Sequence, residues 1–414
     1  MQNKVLVVVG GGAAGFFCAV NAAQQSPALK VILLEKSNKL LSKVRISGGG
    51  RCNVTHGCFE VPTLIKKYPR GERFLKKAFH FFSPADTINW FKERGVELKQ
   101  EADGRMFPVT DDSATIVDCL GREANRYGVQ VLLHQEVKEI RPSNKQWLVQ
   151  TNSQEMLADY VCVACGGLPK SSMFEWLAKL GHSFAEPVPS LFTFNLSAHP
   201  ITALMGVSVP DAQVKIIGSK LTERGPLLIT HWGFSGPAIL RLSAWGAREL
   251  SLSQWTFDIL VNWMPAYNEN SLREFMQQFR FDKAAQKMVN RNPFNLPQRL
   301  WEFLLKEAGI PGETRWSDLP AKAQNLLVKY CCAFPFSIKG KTTFKEEFVT
   351  AGGITLAEID PEKMMSKLAP NLFFAGEIMD VDGITGGFNF QHAWTSGYLA
   401  AKEIARLAAI PSPE

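Results

Sequence analysis

The stretch KVLVVVGGGAAGFFCAVNAAQQ at Lys4–Gln25, followed by Val31–Leu34 and Glu35, constrains this chain more than any other. Val5–Val9 is a continuous apolar run of the kind a parallel strand covered on both faces requires. Gly10, Gly12 and Gly15 give the spacing G-x-G-x-x-G, an alanine-rich helix follows, and the second apolar run ends on Glu35. Each part has a physical task. Gly10 permits a tight turn, Gly12 lets backbone N–H groups approach a pyrophosphate, and Gly15 lets the helix close on the strand. The helix N-terminus adds partial positive charge, and Glu35 is placed to accept hydrogen bonds from ribose hydroxyls. Strand, turn, helix, strand and acid in this order predict a dinucleotide-binding α/β domain.

A second glycine cluster, ISGGGRCNV at Ile46–Val54, lies shortly after. Three consecutive glycines are entropically costly to order, so a triplet outside a linker implies that backbone passes close to something. A third cluster, GITGGFNFQHAW at Gly383–Trp394, again sets glycines before a helix, where an N-terminus stabilises negative charge. Gly376-Glu377 just upstream offers a carboxylate to a polyol. Two glycine-rich sites over one sheet suit a ligand longer than NAD, and only one complete strand–G-x-G-x-x-G–helix unit is present.

Length and composition bound the rest. The 414 residues suggest two or three domains at about 150 residues each. The net charge of +7 has no dense Lys/Arg tract behind it, which argues against nucleic acid as a partner and leaves a small-molecule substrate. Eight cysteines are too sparse for a disulfide framework and fit a reducing cytoplasm. Val5–Gln25 carries no charge, yet the glycines at its centre break it into a strand and a helix start, so it reads as buried and not as a membrane span. No metal-ligand spacing stands out, and no oligomeric state is implied.

Further along, Leu64–Gly95 reads as helical, Asp103–Thr110 as a turn into a short edge strand, and Ser113–Tyr127 as a helix capped by its serine. Val129–His134, Trp147–Gln150 and Tyr160–Ala164 are β-prone, the last stopping on Cys165-Gly166-Gly167, where an open α/β sheet presents ligands. Irregular strands including Val214–Ile217 and Leu227–Thr230 follow, then helical segments over Glu269–Lys329 broken by Pro293, Pro297 and Pro311. α/β character returns with Leu372–Ala375 and a closing helix. The expected architecture is an α/β dinucleotide domain in two parts, 1–191 and 344–414. Between them lies a β-rich insert, 192–343, with a helical part at about 265–330.

The motifs VVGGGAAG, KVRISGGGRCNVT, THWGFSGPAIL, TAGGITLAEID and SKLAPNLFFAGEIMDVDGITGGFNFQHAWTSGYLA, in this order over nearly the whole chain, resemble the bacterial flavoprotein family that contains aminoacetone oxidase and the dihydro-bile-acid reductases. The resemblance implies a two-dinucleotide-type (Rossmann-like) FAD domain with a β-rich and helical insert. It implies an oxidoreductase that passes a hydride through flavin N5, with NADH or NADPH as transient reductant. By motif, Gly10, Gly12, Ala14 and Gly15 would meet the pyrophosphate, and Glu35 and Lys36 the adenosine ribose. Val137 would offer backbone to adenine, with Ala164 and Gly166 bordering that half. Arg45, Ser47, Gly48, Gly49, Arg51, Cys52 and Asn53 would wrap the flavin. Gly376, Glu377, Asp380, Gly386, Gly387, Phe388 and Asn389 would line the ribityl chain and ring.

Arg51, Cys52, His231 and His392 are the substrate-side candidates, the histidines because an imidazole titrates near neutrality. Substrate is expected to enter between the sheet's C-terminal edge and the insert. Three other readings compete. One is an amine oxidase using oxygen. Another is a flavin disulfide reductase exchanging electrons through Cys52 and Cys58, although that family's cysteines stand one residue closer together. The third is a non-catalytic redox sensor whose insert is a docking module. Cys162 and Cys165 form C-x-x-C, read as structural because no second pair lies at zinc spacing.

Overall fold

The computed structural model describes residues 3–342 and 349–410, and the chain divides into two compact units, Met1–Ser190 with Phe344–Glu414, and Leu191–Thr343. The first unit is built on a five-stranded parallel sheet ordered Leu372–Phe374, Tyr160–Val163, Val5–Val9, Lys30–Leu34, Gln130–Leu132. Its central strands are apolar along their length because both faces are covered. The helix Ala13–Gln25 packs on the closing helix Phe388–Ala408, and a methyl group on Gly397 would lie 2.6 Å from the Ala14 carbonyl oxygen. Smaller antiparallel sheets flank this core: Val137–Ser143 with Gln146–Thr151 and Glu155–Ala158, and Phe184–Ser190 with Val349–Ile354.

The structure departs from the local sequence pattern in three places. Leu64–Gly95 is not one helical run but short pieces, Val61–Leu64, Ile65–Lys67, Glu72–Ala78 and Pro84–Lys92. Pro69 with left-handed Gly71 (φ 91°) makes one break, and Ser83-Pro84 with a Ser83/Asp86 capping box restarts the last piece. Arg105–Pro108 is the central strand of its sheet, between Thr55–His56 and Leu98–Gln100, not an edge. Ser113 precedes the helix Ala114–Arg126 without capping it, because its Oγ donates to the Arg45 carbonyl at 2.6 Å.

The second unit holds a seven-stranded sheet in which Phe334–Lys339, Thr256–Asn262, Ser208–Ile216 and Thr222–Ile229 form one antiparallel face. Phe334, Phe336 and Ile338 point inward while Pro335, Ser337 and Lys339 point to solvent, the alternation a half-covered sheet demands. The helices Glu269–Asp282, Gln298–Glu307 and Ala321–Ala333 bury Trp263, Trp301 and Trp316 with it, and proline stands at the N-caps of the last two.

Candidate cofactor site

The cradle begins where the strand Val5–Val9 ends. Gly10 turns with φ 114°, and a methyl group there would lie 2.4 Å from the Ala164 carbonyl oxygen. On Gly15 a methyl would lie 1.9 Å from the Gly10 oxygen, so only glycine lets the helix close on the strand. Gly12 differs from both. A Cβ there would meet nothing within 4 Å, and no side chain caps the helix N-terminus it begins. Open space in front of uncapped, partly positive N–H groups is the shape a pyrophosphate fills. Glu35 is anchored beside it by the Gly11 N–H at 2.9 Å and by the Ser37 N–H and Oγ at 2.9 and 2.8 Å. The Glu35 carbonyl also accepts from Gln135, which brings the start of the Val137 strand alongside, while the Ala164 N–H bonds to Val9 and left-handed Gly166 opens beyond it.

The second glycine cluster is a left-handed turn that kinks the segment Ser42–Gly50. Ser47 is extended and Gly48, Gly49 and Gly50 are left-handed at φ 60°, 70° and 86°. The Cys52 N–H closes the turn on the Ser47 carbonyl at 2.9 Å. Three successive left-handed residues explain the triplet, since a Cβ strains each of them. Asn53 then joins this cluster to the third: its side-chain oxygen accepts from the Gly387 N–H and its nitrogen donates to the Thr55 carbonyl, both at 3.0 Å. His56 stacks on Phe388 with ring centroids 4.7 Å apart, and Trp394 Nε1 donates to the Val54 carbonyl. Gly383 and Asn389 hydrogen-bond to each other, fixing the turn before the closing helix. Asp380 donates its N–H to the Ile354 carbonyl.

The substrate-side candidates sit in different settings. Arg51 lies 4.0 Å over the Phe107 ring and pairs with Glu101 at 2.7 Å, so carboxylates neutralise its charge. Cys52 is fully buried, and burial pushes its thiol up to about 12. His392 is buried with Nε2 donating to the Gly376 carbonyl at 3.1 Å, and burial lowers its pKa to about 4, so it is a neutral strut at pH 7. His231 belongs to the other unit, where its imidazole is exposed beside Trp232. Among the described residues, the Arg45 and Lys36 side chains make no hydrogen bond or ion pair, and the Lys36 charge opposes the rise that burial gives the Cys165 thiol.

Sequence reading missed several residues here. Lys43 pairs with Glu377 at 2.6 Å, and Glu377 also accepts from the Thr350 N–H at 2.8 Å. The Thr350 Oγ1 beside it is buried with no hydrogen-bond partner among the described residues, an orphaned polar atom. Both residues stand inside the motifs KVRISGGG and TAGGIT, which was the available signal. Asp382 is fully buried and accepts from Arg70 and, at 2.8 Å, from Ser190 Oγ, tying the third cluster to two distant segments. Tyr68 adds a bond to the Phe388 carbonyl at 2.7 Å. Among the described residues no group of three or more His, Cys, Asp or Glu can hold a metal.

An open helix N-terminus, an anchored acid at the end of the second strand, an orphaned hydroxyl and a second glycine-built helix start together fit FAD, and the fold and site define an FAD-dependent oxidoreductase with a Rossmann domain. The family model described as HI0933-like protein Rossmann domain matches residues 4–403, and the chain belongs to that family. It is similar to 3-dehydro-bile acid delta(4,6)-reductase of Clostridium scindens, 26% identical over 407 residues, covering 96% of this chain and 98% of the relative. Ribosomal RNA dihydrouridine synthase of Haemophilus influenzae is 29% identical over 417 residues, covering 98% of this chain and 99% of its own; that of Escherichia coli matches with the same identity. Among solved structures, 3-ketosteroid-delta4-(5alpha)-dehydrogenase from Rhodococcus jostii shares the fold with a TM-score of 0.52 at 14% identity, covering 98% of both chains. No helix among the described residues is long and apolar enough to cross a membrane.

Proposed function

We propose that this protein is an FAD-dependent, NAD(P)H-linked reductase that saturates a carbon–carbon double bond conjugated to a carbonyl, with a uracil base in RNA as substrate. The observation that carries the reading is the pair of reactions its full-length relatives are named for. Dihydrouridine formation adds hydrogen across a ring double bond next to a carbonyl, and a delta(4,6)-reductase of a 3-dehydro bile acid acts on double bonds conjugated to a ketone. The substrates differ, but the bond type is shared. The choice of RNA follows the two 29% relatives; a steroid-type enone is the second reading, favoured by the C. scindens relative.

Bound FAD supplies the hydride acceptor and donor, so that NAD(P)H, a proton and the alkene yield NAD(P)⁺ and the saturated product. The chain's own part is placement. The Gly12 helix start and Glu35 would hold the adenosine diphosphate half, while Lys43, Glu377 and Thr350 would lie on the ribityl side. His392 keeps the Gly376 carbonyl in position and gives no proton, since it is neutral and its Nε2–H is committed. All eight cysteines are free thiols, which suits a reducing cytoplasm, where we place the protein.

The test is an anaerobic one. NADH and then NADPH are added to the purified flavoprotein and bleaching of the flavin band is followed. A uridine-containing ribosomal RNA transcript or a 3-keto-4,6-diene steroid is then added. The expected result is recovery of the oxidised flavin spectrum with RNA, and dihydrouridine in the digested transcript. If neither substrate reoxidises the flavin while oxygen or an amine alters it, the reductase reading fails.

A further inference from the structure

The charge of this chain is unevenly divided. Leu191–Thr343 carries 17 Lys and Arg against 11 Asp and Glu, while the remainder carries 29 against 28, so the insert holds nearly all of the net +7. The asymmetry is spread along the insert, with no single dense tract. Sign asymmetry between domains is an electrostatic footprint for a polyanion.

Within the insert, one edge combines that charge with an exposed ring. Phe281, at the end of the helix Glu269–Asp282, is 83% exposed. A single exposed apolar side chain is ordinary by itself. Here it leads straight into Lys283, Lys287 and Arg291. Residues 284–288 run antiparallel to 314–317: Ser317 N–H bonds to the Ala284 carbonyl at 3.0 Å, Trp316 to Gln286 at 3.0 Å, and Met288 to Thr314 at 2.9 Å. This pairing sets Arg315 opposite Lys287, and bonds from Asn290 to Lys287 and from Arg291 to Met288 turn the chain directly after it, so that exposed Arg291 follows the paired segment. The acids present are Asp282, Asp318 and Glu313, the last paired with Lys287 at 2.5 Å. Lys283, Arg291 and Arg315 have no carboxylate partner among the described residues. The edge is rigid underneath, since Trp316 is fully buried against Phe279 and Trp301.

We infer that this edge, Phe281 with Lys283, Arg291 and Arg315, is a docking surface for single-stranded RNA; the inference rests on the RNA reading above. An exposed ring offers a base a stacking face, unpaired guanidinium and ammonium groups meet phosphates, and both are sequence-tolerant. The rigid base means that little order has to be imposed on binding.

The experiment uses the FAD-loaded full chain and a fluorescein-labelled oligouridine strand, read by fluorescence anisotropy across a salt series. Phe281→Ala should weaken binding about tenfold with an unchanged salt slope, because stacking releases no counterions. The double variant Arg291→Glu, Arg315→Glu should weaken it more and flatten the slope by about one for each phosphate no longer neutralised. Lys76→Glu, exposed in the other unit, should bind as the parent does. Unchanged flavin absorbance and Tm show that each variant is folded. Wild-type affinity in the edge variants overturns the surface, as does failure of the parent to bind. The two proposals separate cleanly: RNA reduced by a protein whose edge variants bind normally leaves the reductase and removes the surface. Binding abolished at the edge with no double bond ever reduced keeps the surface and removes the reductase.

Discussion

The two units hold their chemistry in opposite ways. In the first, the cofactor cradle is made of backbone: Gly10, Gly12, Gly15, Gly48 and Gly387 shape it, and basic side chains beside it, such as Arg51 and Lys43, are paired with carboxylates. In the insert, backbone is consumed by the sheet, and what remains for a partner is side-chain charge on the surface. The contrast teaches where each can be broken. A backbone site fails when a Cβ is added; a side-chain site fails when charge is removed.

The largest effect should come from separating two glycines of one motif. Gly15→Ala forces a methyl to 1.9 Å from the Gly10 oxygen and should cost the apoprotein about 3 kcal/mol or more of stability, read as a fall in the urea midpoint. Gly12→Val has open space for its branch point and should leave the apoprotein's midpoint near the parent's, yet abolish FAD retention on gel filtration. Equal loss of stability in both variants would show that Gly12 is structural, and full flavin occupancy in Gly12→Val would move the pyrophosphate elsewhere.

A comparable effect is expected at Asp382, whose ion pair with Arg70 is buried where those of Lys43 and Arg51 are partly exposed. Burial raises its pKa while the Arg70 guanidinium opposes that rise. Removing one partner of a buried pair leaves the other charge without compensation, so Asp382→Ala should lose about 3–5 kcal/mol. The double variant Arg70→Met, Asp382→Leu should recover most of this if the pair serves packing alone. Recovered stability with weak FAD binding would instead show that the pair positions the Gly383–Asn389 turn. Chemical denaturation with FAD titration by fluorescence quenching separates the two.

The legible part of this fold is the local part. Val5–Glu35 carries its strand, turn, helix and acid within one short stretch, each element with its own period, and the parallel α/β sheet forms as expected. The breaks in Leu64–Gly95 are also written locally, in Pro69, Gly71 and Ser83-Pro84, but a stripe of aromatics at helical spacing masks them. Other features have no local signal at all. Asp382 meets residues 312 and 192 positions away, and Arg51 meets Glu101 fifty residues on. The resemblance implies a place for Arg51 beside a flavin, but only the three-dimensional neighbourhood shows that Phe107 and Glu101 hold its side chain.

His392 gives a pH signature of the same cradle. Its folded pKa of about 4 lies below the usual 6.5, so the folded state favours the neutral ring. The contribution is therefore fully present above about pH 6.5 and is lost as pH falls toward 4, a difference of about 3 kcal/mol across that window. His392→Gln should flatten the stability profile of the apoprotein between those values. A parent profile with no slope there would mean that the imidazole is reached by water, and its role as a neutral strut under Gly376 would fall.

The smallest expected effect tests the cysteines. A disulfide exchange beside the flavin needs a thiolate at neutral pH, yet the Cys52 thiol is held near 12 by burial, and Cys58 is shifted upward as well. At pH 7 the thiolate fraction of such a Cys52 is about one in 10⁵, too small to carry turnover. Replacing Cys52 and Cys58 together by serine should therefore leave the rate of anaerobic flavin reduction by NAD(P)H within about twofold, with Cys52 contributing only its packing. Because Cys52 itself sits at a left-handed φ of 61° against the glycine turn, a modest loss of Tm is compatible with that outcome, whereas complete loss of reduction with FAD still bound is not. That second result would restore the paired-sulfur reading and make this corner of the cradle a side-chain site after all.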